Sequence, residues 1–175
     1  MRSMIIMKKL FPTDRTESRY SSWYRRSLNI WPCIWCTGSR IKFVSGDFRE
    51  LHVQLSLNWR TRNRVGTVYG GNIYSSVDPY YMLMMMEILG RDYIVWDKGA
   101  SVKFVRPITD KVKCRFLISD ELVEKVKAEI ATNGQYVFEL PLEYVDDEGK
   151  VYAVFTKTVY TASKEYYKNR KAAAA

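Results

Sequence analysis

The chain has 175 residues, 47% of them hydrophobic and 14% aromatic, and carries 28 basic against 19 acidic side chains for a net charge of +9. That length suits one domain able to bury about 70% of its unfolded surface, and the composition excludes a disordered chain. The charge favours anionic partners without choosing among phosphates, nucleic acid and an acidic membrane surface.

Three cysteines cannot close a disulfide set, so a reducing cytoplasmic setting is expected. Cys33 and Cys36 form a CxxC but follow Pro32 with no strand leading in, and they read as packed thiols, so no metal or resident cofactor is expected. The greasiest run, Tyr80 to Met86, is far short of the roughly 20 residues a transmembrane helix needs.

In chain order, residues 1–18 are polar, basic and aperiodic, and read as a flexible leader to a single domain over 19–162. Tyr20, Trp23, Tyr24, Leu28 and Trp31 then recur at helical spacing, so a helix over 19–31 should dock that stripe, with Arg19, Arg25 and Arg26 off it. A membrane-surface helix is the sharper alternative. The strand "RIKFVS" is joined through Gly46-Asp47 to "FRELHVQLSL", where Leu51, Val53, Leu55 and Leu57 alternate with Glu50, His52, Gln54 and Ser56.

One long helix is expected from Gly70 or Gly71 to Leu89, stopped by Gly90. Its second half, "YYMLMMMEIL", is apolar nearly all round and therefore buried. Strands follow at about Tyr93 to Val105 and Lys111 to Ile118, then a polar helix opened by Ser119 or Asp120. Two more strands, Gln135 to Val145 and Val151 to Thr161, are joined by "DDEGK". Residues 163–175 trail as a tail. The fold class is α+β: about six antiparallel strands wrapped around one buried central helix.

The stretch "NRVGTVYGGNIYSSVDP" concentrates costly choices. A glycine-rich turn feeding a helix leaves unpaired N–H groups at its first turn, which can accept a carbonyl becoming an oxyanion; a tight packing turn is the plainer use. Asp78 should meet an apolar wall between Tyr74 and Met82, where desolvation raises a carboxyl pKa and a donor such as Asn63 opposes it. Such a carboxylate suits general-base or nucleophile work, or a structural role. Pro79 cannot donate to the Ser75 carbonyl, so a bend belongs beside Asp78.

This spacing resembles the hotdog-fold acyl-CoA thioesterases of the phenylacetyl-CoA thioesterase branch, with Asn63, Gly66, Gly70, Gly71 and Asp78 in register. "LNWRTRN" and "DYIVWDKGASVKFVRP" resemble an uncharacterised branch of that superfamily. The resemblance implies a hotdog fold and thioester hydrolysis. The Gly70 N–H would polarise the carbonyl, Asp78 would activate water or attack, and Asn63 would position one of them. Gly66, Tyr69, Gly71, Tyr74 and Met82 would line the substrate, an acyl-CoA whose CoA is no resident cofactor.

It also implies a composite site across a homodimer, often paired into tetramers. Tyr69 stands where the family has His, and a phenol stays neutral at pH 7. That favours the alternative of a non-catalytic acyl-CoA or lipid binder. A hotdog hydratase would need a catalytic His, and His52 reads as a surface imidazole. Nucleic-acid binding is not expected, since no recognised module is present.

Overall fold

A computed structural model describes residues 10–173. Helix α1 (Arg19–Ile30) and a short α2 (Pro32–Cys36) lead into the hairpin β1 (Ser39–Val44) and β2 (Glu50–Ser56). A structured loop then feeds α3 (Gly70–Ser75) and α4 (Tyr80–Leu89). Strands β3 (Tyr93–Phe104) and β4 (Lys111–Leu117), helix α5 (Asp120–Asn133), strands β5 (Gln135–Val145) and β6 (Val151–Ser163), and helix α6 (Lys164–Ala173) complete the chain. The six strands form one antiparallel sheet in the order β1-β2-β4-β5-β6-β3.

Alternation in the strands sets the core. Leu51, Val53 and Leu55 of β2 and Phe155 and Val159 of β6 point to one face, and α4 buries Tyr80, Tyr81, Met84, Met85 and Leu89 on it. The Tyr80 and Tyr81 rings meet Phe116 edge-on at 5.2 and 4.9 Å. Their phenolic tips are not wasted: Tyr81 Oη donates to Pro141 O at 3.0 Å. Ser119 caps α5 by accepting from Leu122 N, the start the sequence indicates.

Four expectations are corrected. The long helix is two helices with a turn at 76–79 between them, because Pro79 has no N–H to offer Ser75 O. The apolar second half is covered on one side only. Met82, Leu83 and Met86 line an open groove of about 720 Å³ with Tyr93, Ile94 and Trp96. On α1 the docked face is Ser21, Tyr24 and Leu28, while Trp23 and Trp31 face outward.

The leader is the fourth. Residues 1–9 lie outside the described residues, but 13–17 are tied to the hairpin: Thr13 Oγ1 donates to Glu50 Oε2 at 2.6 Å, Gly46 N to Thr16 O, and Val44 N to Glu17 Oε1. Residues 164–173 of the tail are helical, and the Tyr166 ring packs against Gly134, where a Cβ would sit 2.1 Å from Cδ2.

Candidate active site

The loop before α3 is built by Asn63. Its Oδ1 accepts from Val65 N and Thr67 N at 3.1 and 3.0 Å, and its Nδ2 donates to Thr67 Oγ1 at 2.8 Å. Gly66 sits in this turn at φ +86, a left-handed conformation that favours glycine. Each of these Asn63 bonds is local, so the structure places Asn63 and Gly66 as the clasp of the loop. Tyr69 N to Thr61 O at 2.7 Å and Val68 N to Ile108 O at 2.9 Å then aim the chain into α3.

The first bond of α3 runs from Ile73 N to Tyr69 O at 3.1 Å. The amides of Gly70, Gly71 and Asn72 are therefore its open donors among the described residues. Two rings crowd this tip. A Cβ on Gly70 would lie 3.3 Å from Phe104 Cζ, and one on Gly71 2.3 Å from Tyr69 Cε1, so close ring approach is what these glycines permit. Beside the tip runs a groove of about 340 Å³ lined by Thr67, Gly70, Ile73, Phe104 and Arg106.

Asp78 stands in the turn between α3 and α4, with its side chain 46% exposed. The apolar wall expected around it is replaced by a cation. Lys157 Nζ donates to Asp78 Oδ1 at 2.7 Å and lies 3.5 Å from Asp97 Oδ2. Lys157 is 1% exposed and sits on the inward face of β6 between Phe155 and Val159. Its ammonium is 6.0 Å from the Tyr74 ring. Burial pushes the Asp97 carboxyl above its ordinary range, with the charge of Asp78 adding and that of Lys157 opposing. Asp97 Oδ1 is buried without a hydrogen-bond partner among the described residues.

Met82 stands apart from these residues and lines the groove along α4 instead. The candidate residues thus separate into the Asn63–Gly66 clasp, the Gly70–Gly71–Tyr69 tip, and the Asp78–Tyr74 turn. Lys157 and Asp97 are the residues that motif spacing missed. The available signal was a lysine at an inward position of the alternating "VFTKTV" strand, which a buried partner must compensate.

His52 is corrected as well. It is buried, hydrogen-bonded through Nε2 to Glu50 Oε1 at 2.7 Å, and flanked by the Phe43 and Phe11 rings at 5.0 and 5.2 Å. The strapped segment 11–17 covers the face that sequence alternation assigns to solvent. Burial alone would raise the Glu50 carboxyl, but bonds from His52 and Thr13 and the Arg115 guanidinium at 2.8 Å reverse this and hold it at about 2.

A two-layer arrangement of this kind, one antiparallel sheet against a central helix, is the hotdog fold. A Pseudomonas aeruginosa protein described as a "probable thioesterase" superposes with a TM-score of 0.71 at 15% identity, covering 82% of this chain and 95% of its own. A Haemophilus influenzae thioesterase gives 0.60 at 13%, covering 86% and 96%. The E. coli PaaI protein of the phenylacetic acid degradation operon gives 0.56 at 13%, covering 82% and 94%. No curated protein matches the chain. Residues 23–161 match the model of the family described as "Domain of unknown function (DUF4442)", and the chain belongs to that family.

Proposed function

We propose that the protein hydrolyses acyl-CoA thioesters at a site shared between two copies. The observation that carries this reading is the separation of two complementary chemical groups along one chain. Gly70 offers open backbone donors beside a groove, and Asp78 offers a carboxylate whose Oδ1 is fixed by Lys157 and whose other oxygen, without a bond among the described residues, can take a proton from water. Gly70 opens α3 and Asp78 lies in the turn beyond its last residue, Ser75; the six residues of α3 alone span about 9 Å, too far for both groups to act on one carbonyl carbon within a subunit. A second copy, facing the first across the uncovered side of α4 and the unpaired edge of β3, resolves this.

In that arrangement the Gly70 N–H polarises the thioester carbonyl and the partner copy's carboxylate deprotonates the attacking water. The tetrahedral intermediate then expels the CoA thiolate. Asn63 acts by holding the Gly70 loop rather than by touching water. Tyr69, Gly71 and Phe104 shape the acyl entrance. Arg106, at the rim of the groove, suits the phosphates of CoA.

A second reading, an acyl-CoA binder without turnover, draws on Tyr69, which stands where the thioesterase pattern has His and folds its ring onto Gly71. Thiol release over short, long and aromatic acyl-CoAs separates the two. Hydrolysis that falls by about 10²–10⁴ in Asp78→Asn supports the enzyme. Measurable binding with no release from any thioester overturns it in favour of the binder.

A further inference from the structure

We propose that the face formed by α1, α2 and residues 58–65 docks on an anionic lipid bilayer. Four of the five tryptophans, Trp23, Trp31, Trp35 and Trp59, are exposed on it, together with Ile30 at 78%. Trp59 is 82% exposed. An apolar side chain left in water singly is ordinary, but a cluster of this size marks a surface with an occupant.

The exposure is held in place. On the opposite side of α1, Ser21 Oγ donates to Val44 O at 2.9 Å, and the Asn29 amide exchanges two bonds with Ile41 at 2.8 and 2.9 Å. The helix cannot roll its outer stripe inward without breaking them. That stripe carries Trp23, Arg26 and Ile30 at helical spacing and runs on into Trp31, which precedes α2. Arg60 joins α2 to the loop: its guanidinium lies 4.3 Å over the Trp35 ring and 5.8 Å from that of Trp59, and Nη1 donates to Trp35 O at 2.9 Å.

Charge selects the occupant. The sequence has no Asp or Glu between Glu17 and Asp47, nor between Glu50 and Asp78, and Glu17 itself is bound to Arg25. The face therefore presents Arg19, Arg26, Arg60, Arg62 and Arg64 without an acidic counterpart in those stretches. A surface evolved merely for solvation mixes signs; tryptophan bodies ringed by arginine fit the headgroup layer of an acidic bilayer, where rings sit at the boundary and guanidinium groups meet lipid phosphate.

The test floats the full chain with phosphatidylcholine vesicles with and without phosphatidylglycerol. Binding to the acidic vesicles only, with a blue shift of tryptophan emission and release by salt, is expected. Arg19→Gln and Arg26→Gln should each weaken binding about fivefold, and Trp31→Ser should reduce the blue shift, with melting temperatures unchanged because these side chains are exposed. Failure to float, or equal flotation with neutral vesicles, overturns the proposal. So does a vesicle-free oligomer that Trp31→Ser dissociates, which makes this a face between copies, or binding of single-stranded RNA with the same arginine dependence and no vesicle preference.

Discussion

Replacing Lys157 with methionine removes the one ammonium between Asp78 and Asp97 while keeping its volume. An opposite charge within 4 Å is worth about 4 kcal/mol at the effective dielectric near a protein surface. The cost of keeping the ammonium out of water offsets much of that, and Asp78, nearly half exposed, can turn to solvent when its partner goes. Asp97 cannot: its side chain is 20% exposed and Oδ1 already lacks a partner among the described residues. The net loss should be about 2 kcal/mol at pH 7, a fall of about 4–8 °C in Tm for a chain of this size.

The pH dependence fixes the cause. A carboxyl raised in the folded state binds more protons there than in the unfolded chain, so stability rises as pH falls toward that pKa. Lys157→Met raises it further, and the variant's deficit should shrink as pH falls from 7 toward the ordinary carboxylate range. Asp97→Asn added to Lys157→Met should recover most of the loss. Calorimetry across that range is the assay. A deficit independent of pH, or no recovery in the double variant, would refute the assignment of Asp97 as the stranded group.

Glu50 gives the opposite sign. Its carboxyl is held at about 2 against an ordinary 4.5 and is 1% exposed, so it supplies about 3 kcal/mol that is present above pH 4.5 and lost as pH falls toward 2; Glu50→Gln should flatten the acid limb of a Tm–pH curve. Pro79→Ala restores a donor to Ser75 O and should let α3 run into α4, so that the new amide at position 79 is protected in hydrogen exchange and thioester release falls as Asp78 swings off Lys157. Tyr144→Phe breaks the buried 2.7 Å bond to Ser76 Oγ and should cost about 1–3 kcal/mol, whereas pairing it with Ser76→Ala should cost less, by denaturant titration.

Strand and helix positions followed closely from period and turn chemistry, because each strand alternates against one buried face: β4, α5 and β5 start where the sequence places them. What periodicity could not supply was coverage by segments distant in sequence. His52 alternates like a solvent residue, yet Phe11 and Thr13 close over it from 39 or more positions earlier. Likewise Lys157 looks misplaced in β6 until the turn at Pro79 brings Asp78 over it. The glycine tip was legible as a motif, but its neighbours Phe104 and Arg106 come from the end of β3 and the residues after it, which no local spacing connects to Gly70.

The shared site itself is tested by mixing two inactive chains. Gly70→Pro deletes the N–H at the first helical position, where proline is tolerated and Tyr69 is already extended at ψ 134, and Asp78→Asn deletes the base. Each alone should lose at least about 10²-fold in thiol release. After the two are denatured and refolded together, every mixed dimer regains one intact site if Gly70 and Asp78 act from different copies, so about a quarter of wild-type activity should return by random pairing. Mixed dimers as inactive as either parent would contradict the account, because both groups would then have to come from one chain.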